Sequence, residues 1–249
     1  MLENNKKLLY YYEHLVDWNT RLSLEGPFLL GTLRQSGAKK VLDCGCGLGK
    51  HVIFLRKNGF DADGIDVNPL HVIRAKEIAH DENIPANFFL MDAEDLTSEN
   101  TDGYDAVIML GNTLSSFKDK KIKKVFNNYF KILKPGGIFI GQVLNYNSFK
   151  KTDRTETRWA EAGRKTVISL KTFHFEPDHV LMILNYLEND GSGWATTLDT
   201  AVMYYLDTGK IQSMLKTAGF LDITFFGSFK GDPFNKNLSR DIIFTAKKA

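Results

Sequence analysis

The chain has 249 residues, 43% hydrophobic and 25% charged, and its 32 basic and 30 acidic side chains leave a net charge of +2. That length suits one full α/β domain with a small insertion and is short for two generous ones; the near-neutral balance offers no global field for nucleic acid or a membrane surface. Two cysteines cannot build a secreted disulfide framework, and no apolar run has signal-peptide form or reaches the roughly 18 residues of a membrane span, so a soluble cytoplasmic protein is expected.

In chain order, Leu8, Tyr12, Leu15 and Val16 fall at helical spacing, and a second helix is predicted over residues 22–36, stopping at Gly37. "KKVLD" reads as a strand, "KHVIFLRKN" as a helix ended by Gly59, and "DADGIDV" as a second strand. Asn68 and Pro69 form a cap and first position for the next helix. "ANFFLMD" and "YDAVIML" are the third and fourth strands. Ile122, Val125, Phe126, Tyr129, Phe130 and Leu133 trace the face of a helix that Pro135 and Gly136 are expected to break, and "GGIFIGQVLN" is the fifth strand.

The next stretch changes character. "TVISLKTFHFE", "HVLMILNYLEN" and "WATTLDTAVMYYL" are three strand-like runs with no helix between them, which predicts an antiparallel insertion. Ile211, Met214, Leu215 and Ala218 then mark a helix ending at Gly219, and "DITFFGSF" and "DIIFTAKK" close the main sheet as an antiparallel pair. The expected fold is α/β: a doubly wound, Rossmann-like, seven-stranded, mostly parallel sheet with an antiparallel last strand, N-terminal helices and a small antiparallel β insertion. The expected single domain divides into an N-terminal helical cap (1–37), a ligand-binding core (38–148), an insertion acting as a substrate lid (150–206) and a return to the core sheet (207–249).

The stretch "VLDCGCGLGKHV", residues 41–52, holds both cysteines and three glycines. A zinc site needs a second ligand pair, which the chain lacks, and a redox pair would be spaced C-x-x-C. A phosphate loop of the G-x-x-x-x-G-K-[ST] kind fails at Cys44 and His51. A dinucleotide loop, G-x-G-x-x-G, fails at Lys50. What remains is Gly45-x-Gly47-x-Gly49 between a strand and a helix, with Asp66 at the end of the second strand to accept both ribose hydroxyls and Asp92 at the end of the third to meet an adenine amino group. Without the third glycine, close approach of a pyrophosphate is not required. An adenosine ligand lacking phosphate fits this set, and S-adenosylmethionine is such a ligand. Its candidate contacts are Asp43, Gly45, Cys46, Gly47, Asp66, Val67, Asp92, Ala93, Leu110 and Asn112. Cys44 and Cys46 are then small residues of a tight turn, and the sulfur of Cys46 is expected to be dispensable.

"VLDCGCGLG", "GIDVNP", "MDAEDL", "YDAVIMLGNTLSSF" and "LKPGGIFI" together resemble the motifs of the class I S-adenosylmethionine-dependent methyltransferases across residues 40–145. Within that class, "VDWNTRLSLEG", "MLGNTLSSF", "VLNYNSF" and the strands ending in "MYYL" resemble the glycine and sarcosine N-methyltransferases. The resemblance implies that Arg21 reaches the cofactor carboxylate, that Asn145 touches the acceptor, and that Tyr204 and Tyr205 lie near the site. The chain departs from that pattern at Leu144, at Leu206 and in lacking an arginine before the paired tyrosines. An acceptor carboxylate would turn to arginine, and Arg154, Arg158 and Arg164 are the candidates, Arg158 foremost.

Methyl transfer from a sulfonium asks the protein to align a nucleophile and exclude water. Tyr11, Tyr12, Trp18, Phe117, Tyr204 and Tyr205 are the aromatic faces that could hold the positive charge; Asn145, Tyr204 and Tyr12 are the catalytic candidates, and Trp18 joins the cofactor set. Three consecutive tyrosines, Tyr10–Tyr12, cannot share one helical face. His14, His51 and His71 read as ordinary helix-face residues, and His174 and His179 as solvent-facing. The lysines of "KDKKIKK", residues 118–124, lie off the apolar stripe and read as a solvated face. The expected function is methylation of a small molecule, most readily at an amine nitrogen, with S-adenosylhomocysteine as product and no metal. The expected partner is the small-molecule acceptor, without nucleic acid or membrane, and a homo-oligomer is compatible. The alternatives are a small-molecule O-methyltransferase and a non-catalytic S-adenosylmethionine-binding protein.

Overall fold

The structure, a computed structural model, describes residues 2–97, 103–149 and 153–249. Its contacts divide it into two compact units: residues 22–148 with 206–249, and residues 1–21 with 149–205. The first expected subdivision, 1–37, is therefore shared, residues 1–21 grouping with the insertion and 22–37 with the core.

The larger unit is built on seven strands: β1 (Lys40–Cys44), β2 (Asp61–Asp66), β3 (Asn87–Leu90), β4 (Tyr104–Met109), β5 (Leu133–Leu144), β10 (Leu221–Phe226) and β11 (Asp241–Lys247). Their order is β10-β11-β5-β4-β1-β2-β3. The first five are mutually parallel, and β11 runs antiparallel to both β5 and β10. Helices α3 (Lys50–Lys57), α4 (Pro69–Asp81), α5 (Asp119–Ile132) and α6 (Thr208–Ala218) lie between strands in sequence. The order reverses between β1 and β4. At such a switch point the loops leaving the two strands part to opposite faces, and a crevice opens at their carboxyl ends.

Local chemistry fixes the element ends. The Asn68 side chain accepts the Leu70 N–H with Pro69 at the first helical position, Asp207 accepts the Lys210 N–H, and Gly219 closes α6 at φ 102°. The core side of α5 packs Phe126 and Tyr129 edge-on against Phe139 of β5, with Phe244 of β11 on the same ring. That helix ends at Ile132, earlier than its apolar stripe suggests, and Leu133 is already extended. Pro135 and its disfavouring of helical backbone in the residue before it move the stop upstream.

The smaller unit carries a meander of four strands, β6 (Arg154–Ala162), β7 (Lys165–Phe175), β8 (His179–Asn189) and β9 (Trp194–Tyr204), all antiparallel. Three strands were expected from the apolar runs. The fourth, β6, reads "RTETRWAEA" and is exposed along most of its length, so it carries no apolar signature. It is an edge strand held by backbone pairing to β7, with charges on its rim that blunt further pairing. Helix α1 (Leu2–Leu15) packs on one face of the meander: Tyr11 is buried, stacks on Tyr186 at 4.8 Å and joins Val167 and Ala162, while the Tyr10 hydroxyl donates to the Ala162 carbonyl. Helix α2 (Trp18–Gln35) starts four residues before the expected Leu22, because Asp17 accepts both the backbone N–H and the hydroxyl of Thr20.

Candidate active site

In the larger unit the expected cofactor residues converge at the carboxyl ends of β1 to β4. After β1 the chain turns through Gly45, Gly47 and Gly49, all left-handed at φ 75°, 53° and 70°. A Cβ on Gly45 would stand 2.9 Å from Thr113 Cγ2, whereas one on Gly47 would meet nothing within 4 Å. Packing thus demands the first glycine, and the second leaves bare backbone beside open space. The turn is strapped to β2: the Gly45 and Cys46 N–H groups both donate to the Ile65 carbonyl, and the Gly47 N–H donates to Asp66 Oδ2 at 2.8 Å.

Asp66 is buried at the end of β2. Its Oδ1 accepts the Asn68 N–H at 2.8 Å and lies 3.4 Å from His71 Nδ1. Burial pushes its acidity toward the neutral form, but His71 and the Asn68 and Gly47 N–H groups outweigh it and hold the carboxyl below its usual range. Asp92, after β3, accepts the Glu94 N–H through Oδ1 and pairs with Lys121 Nζ through Oδ2 at 2.6 Å. Burial raises its pKa and the Glu94 N–H and Lys121 lower it further than that, leaving it also below the ordinary carboxylate value. Asp43, Ala93 and Leu110 are buried beside these groups, and Val67 is exposed.

After β4, Asn112 sits in the left-handed region at φ 66°. Its Oδ1 accepts the Leu144 N–H and the Ser115 hydroxyl, its Nδ2 donates to the Tyr146 hydroxyl, and its backbone N–H donates to Gln142 Oε1. The side chain thus ties the ends of β4 and β5 together, and the Asn112 backbone carbonyl accepts the Ser115 N–H. Asn145, after β5, is 0% exposed. Its Nδ2 donates to the carbonyls of Lys236 and Ser239 at 2.8 and 2.7 Å, and among the described residues its Oδ1 has no donor. Two carbonyls facing the nitrogen settle which end of the amide is oxygen.

The smaller unit holds the other expected residues. Trp18 packs edge-on against Tyr12 at 6.2 Å and carries the Arg21 guanidinium over its ring at 4.8 Å, so these three do come together. Tyr204, the last residue of β9, pairs with His179, and the Tyr205 hydroxyl donates to the Glu176 carbonyl. Arg158 is not with them. It is exposed and lies in register with Ser169, Tyr186 and Thr197. Thr197 and Tyr204 are an odd number of positions apart, so Arg158 and Tyr204 project from opposite faces of the sheet, about 20 Å apart along the strand.

Several groups of the site give no sign of themselves in the sequence. His51 is buried, 2.6 Å from Glu25 of α2, so it fixes α2 to the first turn of α3 and is no ordinary helix-face residue. His71 is likewise committed to Asp66. Lys121, expected on a solvated face, leans over the Phe117 ring at 4.6 Å and holds Asp92. Each partner lies five or more residues away across a turn or between elements, where periodicity carries no information. The two thiols are buried, and burial raises both far above the ordinary thiol value, with the Asp43 charge adding to it. They stay protonated at neutral pH and serve as small apolar groups.

An adenosine ligand fits this arrangement: bare backbone at Gly47, a carboxylate beside it with lone pairs in reserve, and the exposed side chain of Val67 next to it. A methyltransferase-domain family model matches residues 41–137. The glycine/sarcosine N-methyltransferase of Parasynechococcus marenigrum is 30% identical over 225 residues, 89% of this chain and 77% of that protein. The enzyme of the same name from Aphanothece halophytica is 27% identical over 95% of this chain and 86% of its own length. Among solved structures, an S-adenosylmethionine-dependent methyltransferase from Clostridium acetobutylicum superposes with a TM-score of 0.78 at 17% identity, covering 98% of both chains. The sugar N-methyltransferase KedS8 from Streptoalloteichus gives 0.77 at 18% identity, over 91% of this chain and 87% of that one; at such identities these two speak for the fold. Fold, loop and relatives agree, and the chain belongs to the class I S-adenosylmethionine-dependent methyltransferases, with the glycine/sarcosine N-methyltransferases among its relatives.

Proposed function

We propose that the protein methylates a small amine at nitrogen, in the manner of a glycine- or sarcosine-like acceptor. The observation that carries this reading is the buried Asn145 Oδ1 at the end of β5, a fixed acceptor that has no donor among the described residues. A neutral primary or secondary amine can donate an N–H to that oxygen and keep its lone pair free for attack. The names of the relatives, which align through the insertion as well as the core, favour nitrogen over oxygen.

When bound, S-adenosylmethionine supplies an electrophilic methyl group on its sulfonium. Asp66 takes the ribose hydroxyls, Asp92 receives the adenine amino group, and the backbone from Gly45 to Gly47 meets the amino-acid end. Asn145 orients the acceptor nitrogen and needs no charge of its own to do so, since alignment supplies most of what this displacement asks of a protein. Asn112 and Tyr146 hold the ends of β4 and β5 in place beneath it.

A turnover screen reading S-adenosylhomocysteine, run on glycine, sarcosine, dimethylglycine, other amines and small hydroxylated compounds, tests the proposal. Glycine- or sarcosine-like primary and secondary amines should turn over, and dimethylglycine, which has no N–H when neutral, should be poor. Product only with hydroxyl acceptors would make the protein an O-methyltransferase, and tight cofactor binding with no product at all would make it a binding protein.

A further inference from the structure

On the reading that Asp92 receives the adenine amino group, we infer that Lys121 of α5 is a positioning residue for that base: it fixes the Asp92 carboxylate in one orientation and so selects a 6-aminopurine over other purines. The lysine stands off the apolar stripe of its helix, where a side chain is ordinarily left to water. Instead its ammonium lies 2.6 Å from Asp92 Oδ2 and 3.5 Å from Glu94 Oε2, with the centroid of the Phe117 ring 4.6 Å away. Asp92 and Glu94 belong to the turn after β3 and Phe117 to the segment after β4, so one ammonium joins the two. Seven residues further along α5, on the same face, the buried Asn128 donates through Nδ2 to the carbonyls of Ala93 and Glu94 at 3.1 and 2.9 Å. Lys121 thus holds the carboxylate of the turn and Asn128 its backbone.

Charge explains why this grip matters to the base. The Asp92 and Lys121 side chains are 28% and 25% exposed, so a purine laid against them removes water from both. A carboxylate that loses its water without a cation is heavily penalised or takes up a proton, and a protonated carboxyl can donate. Lys121 supplies the counter-charge before any ligand arrives and leaves Asp92 an acceptor alone. The Glu94 N–H fills one lone pair of Oδ1 and Lys121 one of Oδ2, which leaves each oxygen able to accept once more. The amino group of adenine offers them N–H donors, a 6-oxo purine turns an oxygen on them, and a purine with hydrogen at that position offers nothing. Because the orientation of the carboxylate is already fixed, little ordering is left for the ligand to impose.

Calorimetric titration of the full chain with S-adenosylhomocysteine, and with its analogue carrying hydrogen in place of the adenine 6-amino group, tests this. The wild type should bind the analogue about 10-fold more weakly, as loss of a hydrogen bond to a charged group implies. Lys121→Met should weaken S-adenosylhomocysteine about 5-fold and leave the analogue within about 2-fold of its wild-type affinity, so that the preference nearly vanishes. Lys121→Arg, which keeps the charge, should restore most of the preference, and Lys120→Met, an exposed neighbour on the same helix, should change neither affinity. Equal weakening of both ligands in Lys121→Met, as damage to the fold would cause, or a preference that survives the substitution, overturns the role of Lys121. A wild type that binds the two ligands equally overturns the assignment of Asp92 to adenine, and the role of the lysine with it.

Discussion

Asp66→Ala should weaken cofactor binding without unfolding the chain. In the structure the carboxylate already receives the Gly47 and Asn68 N–H groups at 2.8 Å each, with His71 3.4 Å away. The substitution removes the charged acceptor proposed for the ribose and one of the three hydrogen bonds that strap the glycine turn to β2, while the Gly45 and Cys46 N–H groups keep theirs to the Ile65 carbonyl. A hydrogen bond to a charged group is worth about 1.5–3 kcal/mol net, and exposed N–H groups recover part of the loss from water, so the expected cost is about 1–3 kcal/mol, or about 5- to 150-fold in Kd. Calorimetric titration with S-adenosylhomocysteine measures it directly. Repeating the titration with an analogue lacking the ribose 2′-hydroxyl separates the two contributions: the analogue should lose affinity for the wild type and much less for the variant. Because Asp66 stays ionised below the usual carboxylate range, wild-type affinity should also hold as pH falls to about 5. Unchanged affinity in Asp66→Ala would refute the ribose assignment.

The two glycines should respond differently. Gly45→Ala, strained at φ 75° and 2.9 Å from Thr113, should lower stability by about 1–3 kcal/mol in a thermal or urea melt; Gly47→Ala, with space around it, should cost less stability and more cofactor affinity. Asn145→Ala should raise the acceptor KM and lower kcat while cofactor affinity holds, and should cost about 1–3 kcal/mol of stability because the Lys236 and Ser239 carbonyls lose their donor. Equal loss of acceptor and cofactor binding would show that Asn145 serves both. Cys46→Ala should keep turnover within about twofold, as expected of a small buried group away from the chemistry; a large loss would give its sulfur a role. Asp66, Asp92 and Asp105 all sit below their ordinary values in the folded chain. Their stabilisation is therefore complete above about pH 4 and is lost as pH falls through the depressed folded values, a fall that an acid titration followed by circular dichroism would display.

The parts of this molecule readable from its sequence are those written at short range. The glycine turn, the acids one strand apart, the Asn68–Pro69 cap and the apolar stripe of α5 as far as Phe130 each occupy a few residues, and the structure has them where periodicity and turn chemistry put them. Strand β6 escaped because edge strands need no apolar face, and its pairing with β7 is a backbone matter. Glu25 with His51, and Lys121 with Asp92, escaped because their partners meet only once the sheet has formed. Arg158 was singled out by residue type and neighbourhood, and an odd strand spacing separates it from Tyr204.

The central claim is that a methyl group passes to an amine nitrogen held at the end of β5. Incubation with an isotopically labelled methyl donor and a primary amine that turns over, followed by nuclear magnetic resonance of the product, tests it most directly. The account predicts label on nitrogen, with the yield collapsing in Asn145→Ala while cofactor affinity is retained. Label on oxygen, or full yield in Asn145→Ala, would contradict it.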